Sequence, residues 1–306
     1  MADILTGFAI IAVVIGVGYA AARLRLAGPD AVTALNRLAF FVAAPALLFT
    51  VVAQADLGEL VQAPLLVQAA SAVVSAGLFV VVNVLRLRLP APEATVGAVA
   101  SGYVNANNIG LPVAAYVLGD ATAVVPVILL QLLVLAPVTL LALDAQTSGR
   151  VSAGFVLSQP VRNPIILGSL AGAVVSATGW SVPDPVWAPL ELLGGAAIPM
   201  MLLAFGMSLH GSRPLRRDSP RLAVGASAVI KAVVMPAVAF LLARFVARLD
   251  DAAVASAVIL AALPTAQNVY NYAARFRRGE VLARDTILVT TVVAPVVLLG
   301  ATLLLG

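Results

Sequence analysis

The 306 residues are 62% hydrophobic and only 10% charged, with a formal net charge of +4 and no cysteine. At a mean hydropathy of +1.07 the chain lacks the polar surface that a soluble domain of this size needs. The missing cysteines exclude disulfides and thiolate metal sites, and the single His and the lack of intramembrane carboxylates argue against any other metal centre. The positive balance does not point to nucleic acid, because the arginines lie in short loops beside apolar runs, where they set membrane orientation.

The apolar runs are long enough for helices to cross about 30 Å of hydrocarbon. Taken in order, the predicted spans are 4–22, 36–53, 62–84, 95–118 and 121–143, then 163–180, 187–209, 221–243, 252–273 and 285–305. The fold class is therefore an all-α polytopic membrane protein of ten transmembrane helices, with no room for a sizeable soluble domain. Met1-Ala2-Asp3 lacks a basic flank, so the first run reads as a retained span and not as a signal peptide. Turn signals separate the spans at Ala27-Gly28-Pro29-Asp30, Pro90-Ala91-Pro92 and Val182-Pro183-Asp184-Pro185. The longest connection runs from Asp144 to Arg162, and its 151–159 stretch is expected as a short interfacial helix. Trp180 and Trp187 fit interfacial anchoring. Gly168 and Gly172 form a GxxxG pattern suited to close helix packing. Glu191 and His210 read as span-end residues.

The loops alternate in charge. Arg23, Arg25, Arg37, Arg86, Arg88, Arg150, Arg162, Arg213, Arg216, Arg217, Arg221, Arg275, Arg277, Arg278 and Arg284 fall on one side, and only Arg244 and Arg248 on the other. The positive-inside rule puts the first group in the cytoplasm of a bacterial inner membrane and both termini outside. Five spans per half start the second half from the opposite face, the requirement for an inverted repeat. The repeats are expected at 1–149 and 150–306. Pro45 in Ala43-Ala44-Pro45-Ala46 and Pro199 in Ala197-Ile198-Pro199-Met200 stand 154 positions apart, and the same offset brings residues 105–112 onto 259–266.

Both of these regions carry helix-breaking residues at mid-span. The first holds Asn105, Asn107, Asn108, Gly110 and Pro112, and the second holds Pro264, Gln267, Asn268 and Asn271. Proline removes a backbone donor, and unwound backbone at this depth is tolerated only inside protein or beside a water-filled cavity. If both helices break and cross, two half-helix N-termini converge and offer N–H groups and partial positive charge to an anion. The alternative is that prolines kink and asparagines join neighbouring helices. Lys231 lies near the centre of span 8, where an ammonium costs roughly 2.5–3.5 kcal/mol on insertion scales. Its two readings are a counter-charge for a substrate anion and a structural ammonium bonded to helix carbonyls at a break. Ser227 lies one turn earlier on the same face. Ser71 and Ser75 share a face of span 3, and Gln131 in span 5 is a further candidate to face a cavity.

Taken together, Gly18-Tyr19 through Arg25, Leu35-Asn36-Arg37-Leu38, Pro45-Ala46-Leu47-Leu48, Asn163-Pro164-Ile165-Ile166, Gly194 through Leu203, Gly206-Met207-Ser208-Leu209, Asn105 with Gly110 and Pro112, and Pro264-Thr265-Ala266 with Asn268 resemble the auxin efflux carrier family. The resemblance runs along nearly the whole chain and takes in bacterial malonate and malate transporters. It implies a scaffold of spans 1, 2, 6 and 7 and a transport bundle of spans 3–5 and 8–10. It also implies crossover asparagines at Asn105 and Asn268, an elevator mechanism and a homodimer. Asn107 and Asn108 inside the break depart from the family's pattern and make it more polar. The expected function is carriage of a small mono- or dicarboxylate across the lipid bilayer. No cofactor is expected, and a coupling ion, Na⁺ or H⁺, is left open. The rivals are a sodium-coupled symporter of a larger amphipathic anion, as in bile-acid symporters, and a ligand sensor that moves nothing. No Gly-x-Ser-x-Gly, central His or aspartate pair supports an enzyme.

Overall fold

The computed structural model describes residues 2–28, 30–55, 63–147, 163–211, 215 and 219–305, and among them the secondary structure is helical throughout. In order these are α1 (Ala2–Arg23), α2 (Ala31–Gln54), α3 (Pro64–Leu87), α4 (Ala91–Gly102), α5 (Ala106–Leu118) and α6 (Ala121–Thr147). They continue with α7 (Pro164–Thr178), α8 (Asp184–Leu209), α9 (Arg221–Val246), α10 (Asp251–Ala262), α11 (Asn268–Phe276) and α12 (Glu280–Leu305). Six of them, α2, α3, α6, α8, α9 and α12, are long and apolar enough to cross a membrane. The helix expected at 151–159 lies outside the described residues, as do Arg150, Arg162, Arg213, Arg216 and Arg217.

Prolines shape these helices without ending them. Widened π-turns at Ala39–Ala43, Ala106–Gly110, Gln131–Leu135 and Ile230–Val234 each close two residues before a proline: Pro45, Pro112, Pro137 and Pro236. A proline ring clashes with the carbonyl four residues back and withholds an N–H from it. In all four cases that carbonyl falls inside the widened turn, whose longer bonding pattern absorbs the conflict. Caps mark other boundaries. The side chains of Asp120, Asn163 and Asp250 accept from the amides of Thr122 (2.8 Å), Ile165 (3.0 Å) and Ala253 (2.8 Å). Gly119 and Gly179 stop α5 and α7 in the left-handed region.

The chain forms two compact units. The first comprises Met1–Gln62, Asn107–Leu129 and Ser158–Ser212. Within it the C-terminal half of α2 packs on α7 and on the start of α8, and α1 packs on the second half of α8. Small residues make these approaches close. A Cβ added at Gly172 would stand 2.5 Å from the Phe49 carbonyl oxygen, and one at Gly168 would strike the Pro45 carbonyl. The GxxxG pair thus packs backbone to backbone, the contact available to helices when lipid offers no hydrophobic drive. Gly18 and Gly206 do the same between α1 and α8. Trp187 lies against Phe49, and His210 meets Tyr19 edge-on.

The second unit comprises Ala63–Ala106, Leu130–Leu157 and Arg213–Gly306. Here α3 packs on α4, α9 and α10, and α9 packs on α10 and α12. Phe79, fully buried, fills the space beside Gly97, where any Cβ would collide with its ring. Tyr103, Val96, Ala100, Val269, Ala273 and Ala283 form a second buried cluster. Apolar side chains such as Leu66, Leu222 and Leu304 remain exposed, an arrangement stable in lipid but costly in water. Asp285, which the sequence places at the mouth of the last span, is fully buried. Its carboxylate accepts from the Leu215 amide (3.1 Å) and from Arg284 Nε (2.8 Å). The neighbouring guanidinium and a backbone donor are what make this burial bearable.

Candidate functional site

Two of the predicted spans are interrupted. α4 stops at Gly102 and α5 starts at Ala106, while α10 stops at Ala262 and α11 starts at Asn268. Between these ends Val104 and Thr265 form an isolated antiparallel bridge. The Asn105 amide donates to the Pro264 carbonyl (2.8 Å), and the Ala266 amide donates to the Tyr103 carbonyl (3.0 Å). Each unwound stretch therefore supplies the hydrogen bonds that the other lost on leaving its helix.

Side chains satisfy the remaining groups. Gln131 Nε2 of α6 donates to the Val104 carbonyl (2.7 Å), and the Thr265 amide donates to Thr290 Oγ1 of α12 (3.1 Å). Thr265 Oγ1 donates to Ala100 O in the last turn of α4 (2.7 Å), and Lys231 Nζ donates to Ala261 O in the last turn of α10 (2.7 Å). Thr265 and Lys231 are completely buried, and Gln131 and Thr290 nearly so. An orphaned buried carbonyl costs about 1–3 kcal/mol, and the hydrocarbon offers no water to relieve it.

The breaks differ in extent from the sequence expectation. The first covers Tyr103–Asn105 and not 105–112, and the second covers Leu263–Gln267 and not 264–271. Pro112 explains the difference, because the π-turn ahead of it keeps Asn107, Asn108 and Gly110 helical. The bridged residues, Val104 and Thr265, stand 161 positions apart.

The expected site residues divide between the two units. Asn107, Asn108, Gly110 and Pro112 belong to the first, where Asn107 Nδ2 donates to Asn108 Oδ1 (2.9 Å). Asn105, Pro264, Gln267, Asn268, Asn271 and Lys231 belong to the second. Asn105 is buried in the unwound stretch and Pro264 lies in its partner. Gln267 immediately precedes α11. Asn268 opens that helix, close to the Tyr103 hydroxyl. Asn271 is exposed one turn later. Lys231 Nζ bonds the carbonyl of Ala261, in the last turn of α10 before the break.

The family described as "Membrane transport protein" matches residues 3–151 and 139–301, nearly the full chain. This chain belongs to that family. A protein of Rhizobium meliloti (strain 1021), provisionally named a malonate transporter, is 30% identical over 292 residues, which cover 92% of this chain and 90% of that protein. The resemblance to auxin efflux carriers seen in the sequence stands with these matches.

In this membrane transport protein several residues around the break carry no signal that the sequence reading used. Tyr103, Thr290 and Gln68 are polar and sit in otherwise apolar runs. Tyr103 OH reaches the Gln131 carbonyl (3.3 Å) and Tyr272 OH (3.4 Å), which closes the polar cluster beside Asn268. Gln68 Nε2 donates to the Ala257 carbonyl on α10 (2.6 Å). A lone glutamine in a predicted span is the cue that was available, because burying its amide in hydrocarbon demands partners.

Proposed function

We propose that this family member is a secondary carrier of a small organic anion, a mono- or dicarboxylate, working by alternating access of the elevator type. The observation that carries the reading is the buried pair of unwound stretches from which two helices start, at Ala106 and Asn268. Helix N-termini carry partial positive charge, which favours a carboxylate. Asn105, Gln267 and Asn268 add neutral donors. The provisional malonate assignment of the Rhizobium meliloti relative supports a compact dicarboxylate.

The remaining parts of the proposal are a topology of ten spans in two inverted halves of five, both termini outside a bacterial inner membrane, and a homodimer. Support for the topology comes from the fifteen-to-two division of loop arginines. Where the cell interior is negative, export of a monoanion gains about 2.3 kcal/mol per 100 mV, so export needs no coupling ion.

A proteoliposome counterflow assay over a carboxylate panel tests the proposal. Loss of a hydrogen bond to a charged substrate is worth about 1.5–3 kcal/mol, so Asn105→Ala and Asn268→Ala are expected to weaken apparent affinity about 10- to 100-fold. Absence of any organic-anion flux, or unchanged flux in both variants, refutes it. Saturable binding without counterflow marks a sensor instead, and uptake that strictly requires sodium marks a symporter.

A further inference from the structure

Arg86 stands in the last turn of α3 and Arg221 in the first turn of α9, and these two helix ends pack on each other within the second unit. A cavity of about 630 Å³ has both arginines in its lining. Part of that lining is apolar. Leu87 and Leu89 pack against the buried cluster of Phe79, Ala223 and Val224, and Leu222 lines the same cavity while 82% exposed. Asn83 fixes the turn that follows Arg86: its buried side chain accepts from the Leu89 amide (2.9 Å) and donates to the Leu89 carbonyl (3.4 Å). The positive charge has no acidic partner. None of the three ion pairs among the described residues includes Arg86 or Arg221. Arg221 donates one long bond, to the Leu215 carbonyl (3.4 Å), and the Asp285 carboxylate that accepts from the Leu215 amide is buried and paired with Arg284. In sequence, residues 213–218 add three arginines and one aspartate. A cation in the first turn of a helix also opposes the macrodipole. An anion is the group that relieves both guanidiniums.

We propose that this cavity holds the headgroup of an acidic phospholipid, with its phosphate on Arg86 and Arg221 and an acyl chain along Leu222. Both helices are long and apolar enough to cross a membrane, so their ends lie at the depth of the headgroups. Guanidinium forks match phosphate oxygens in geometry as well as charge, and basic pockets between membrane helices suit anionic headgroups. A free phosphate would meet the same guanidiniums but would leave the exposed leucine uncovered. The inference needs only that the chain lies in a membrane, and it does not rest on the carrier reading.

The test is thermal unfolding of the delipidated, detergent-solubilised protein titrated with phosphatidylglycerol, phosphatidylcholine or inorganic phosphate. Phosphatidylglycerol is expected to raise the unfolding temperature saturably, and the other two to have little effect. One arginine beside an anionic lipid changes partitioning about fivefold, so Arg86→Gln combined with Arg221→Gln is expected to weaken the phosphatidylglycerol response about 25-fold. Arg23→Gln combined with Arg25→Gln removes as much charge from exposed positions of the first unit and is expected to leave the response unchanged. Leu222→Asp places a carboxylate at an exposed first-turn position that tolerates it, and is expected to fold and to lose the response. That variant decides the matter if the double arginine variant is not recovered folded. The proposal is overturned if phosphatidylglycerol gives no rise, if phosphatidylcholine acts as well, or if inorganic phosphate alone reproduces the effect. It is overturned too if the Arg23 and Arg25 pair loses as much as the Arg86 and Arg221 pair, or if Leu222→Asp responds like the unaltered protein. No organic-anion flux is measured, so this result and the carrier result can fail separately.

Discussion

Thr265→Val removes one hydroxyl from the centre of the break and leaves its shape intact. Thr265 Oγ1 donates to Ala100 O at 2.7 Å, while the Thr265 amide is held by Thr290 Oγ1 at 3.1 Å. The substitution abolishes the first bond only, and Thr265 is completely buried, so no water replaces the donor. A stranded buried acceptor costs about 1–3 kcal/mol, though interhelical hydrogen bonds in membranes average nearer 0.6 kcal/mol because the unfolded chain also finds partners. The expected loss is therefore about 1–2 kcal/mol, or a few degrees in unfolding temperature. Thr265→Ser, which keeps the hydroxyl, is expected to recover most of it. Detergent-solubilised protein heated and scored by size-exclusion gives the temperatures, and counterflow in proteoliposomes gives the function. Flux is expected to fall further than stability accounts for, because the last turn of α4 loses its side-chain tie to the second unwound stretch. If Thr265→Val unfolds at the wild-type temperature while Thr265→Ser does not, the hydroxyl bond is not holding the break and the reasoning is refuted.

Three other outcomes follow from the same geometry. Gly172→Leu is expected to cost at least about 2 kcal/mol by forcing α7 off the Phe49 carbonyl, whereas Gly225→Ala, with nothing within 4 Å, is expected to hold or gain up to about 1 kcal/mol; paired melting curves decide both. Gly97→Ala is expected to destabilise by collision with the Phe79 ring, and Phe79→Leu in the same chain to restore part of the loss, as a double-mutant cycle of unfolding temperatures would show. Because the chain has no cysteine, single substitutions report topology directly: Ser181→Cys is expected to react with an impermeant maleimide in intact cells, and Arg277→Cys only after lysis. The opposite labelling would reverse the proposed orientation.

Composition and spacing alone determined that this chain is a bundle of membrane helices and roughly where each one runs, since a hydrocarbon solvent leaves no other home for runs this apolar. They also marked both interruptions, because asparagine, glycine and proline at mid-span demand partners that lipid cannot supply. What they did not reveal was which residues unwind. Pro112 looks like a breaker in sequence, yet a widened turn absorbs it, and the chain opens at Tyr103–Asn105, where an antiparallel bridge with residues 161 positions away is available. Lys231 announced itself by depth, but which carbonyl its ammonium meets depended on where α10 ended. Tyr103, Gln68 and Thr290 were silent for the same reason. A polar side chain declares its need for a partner in sequence, but only packing between distant helices decides which backbone group will meet it.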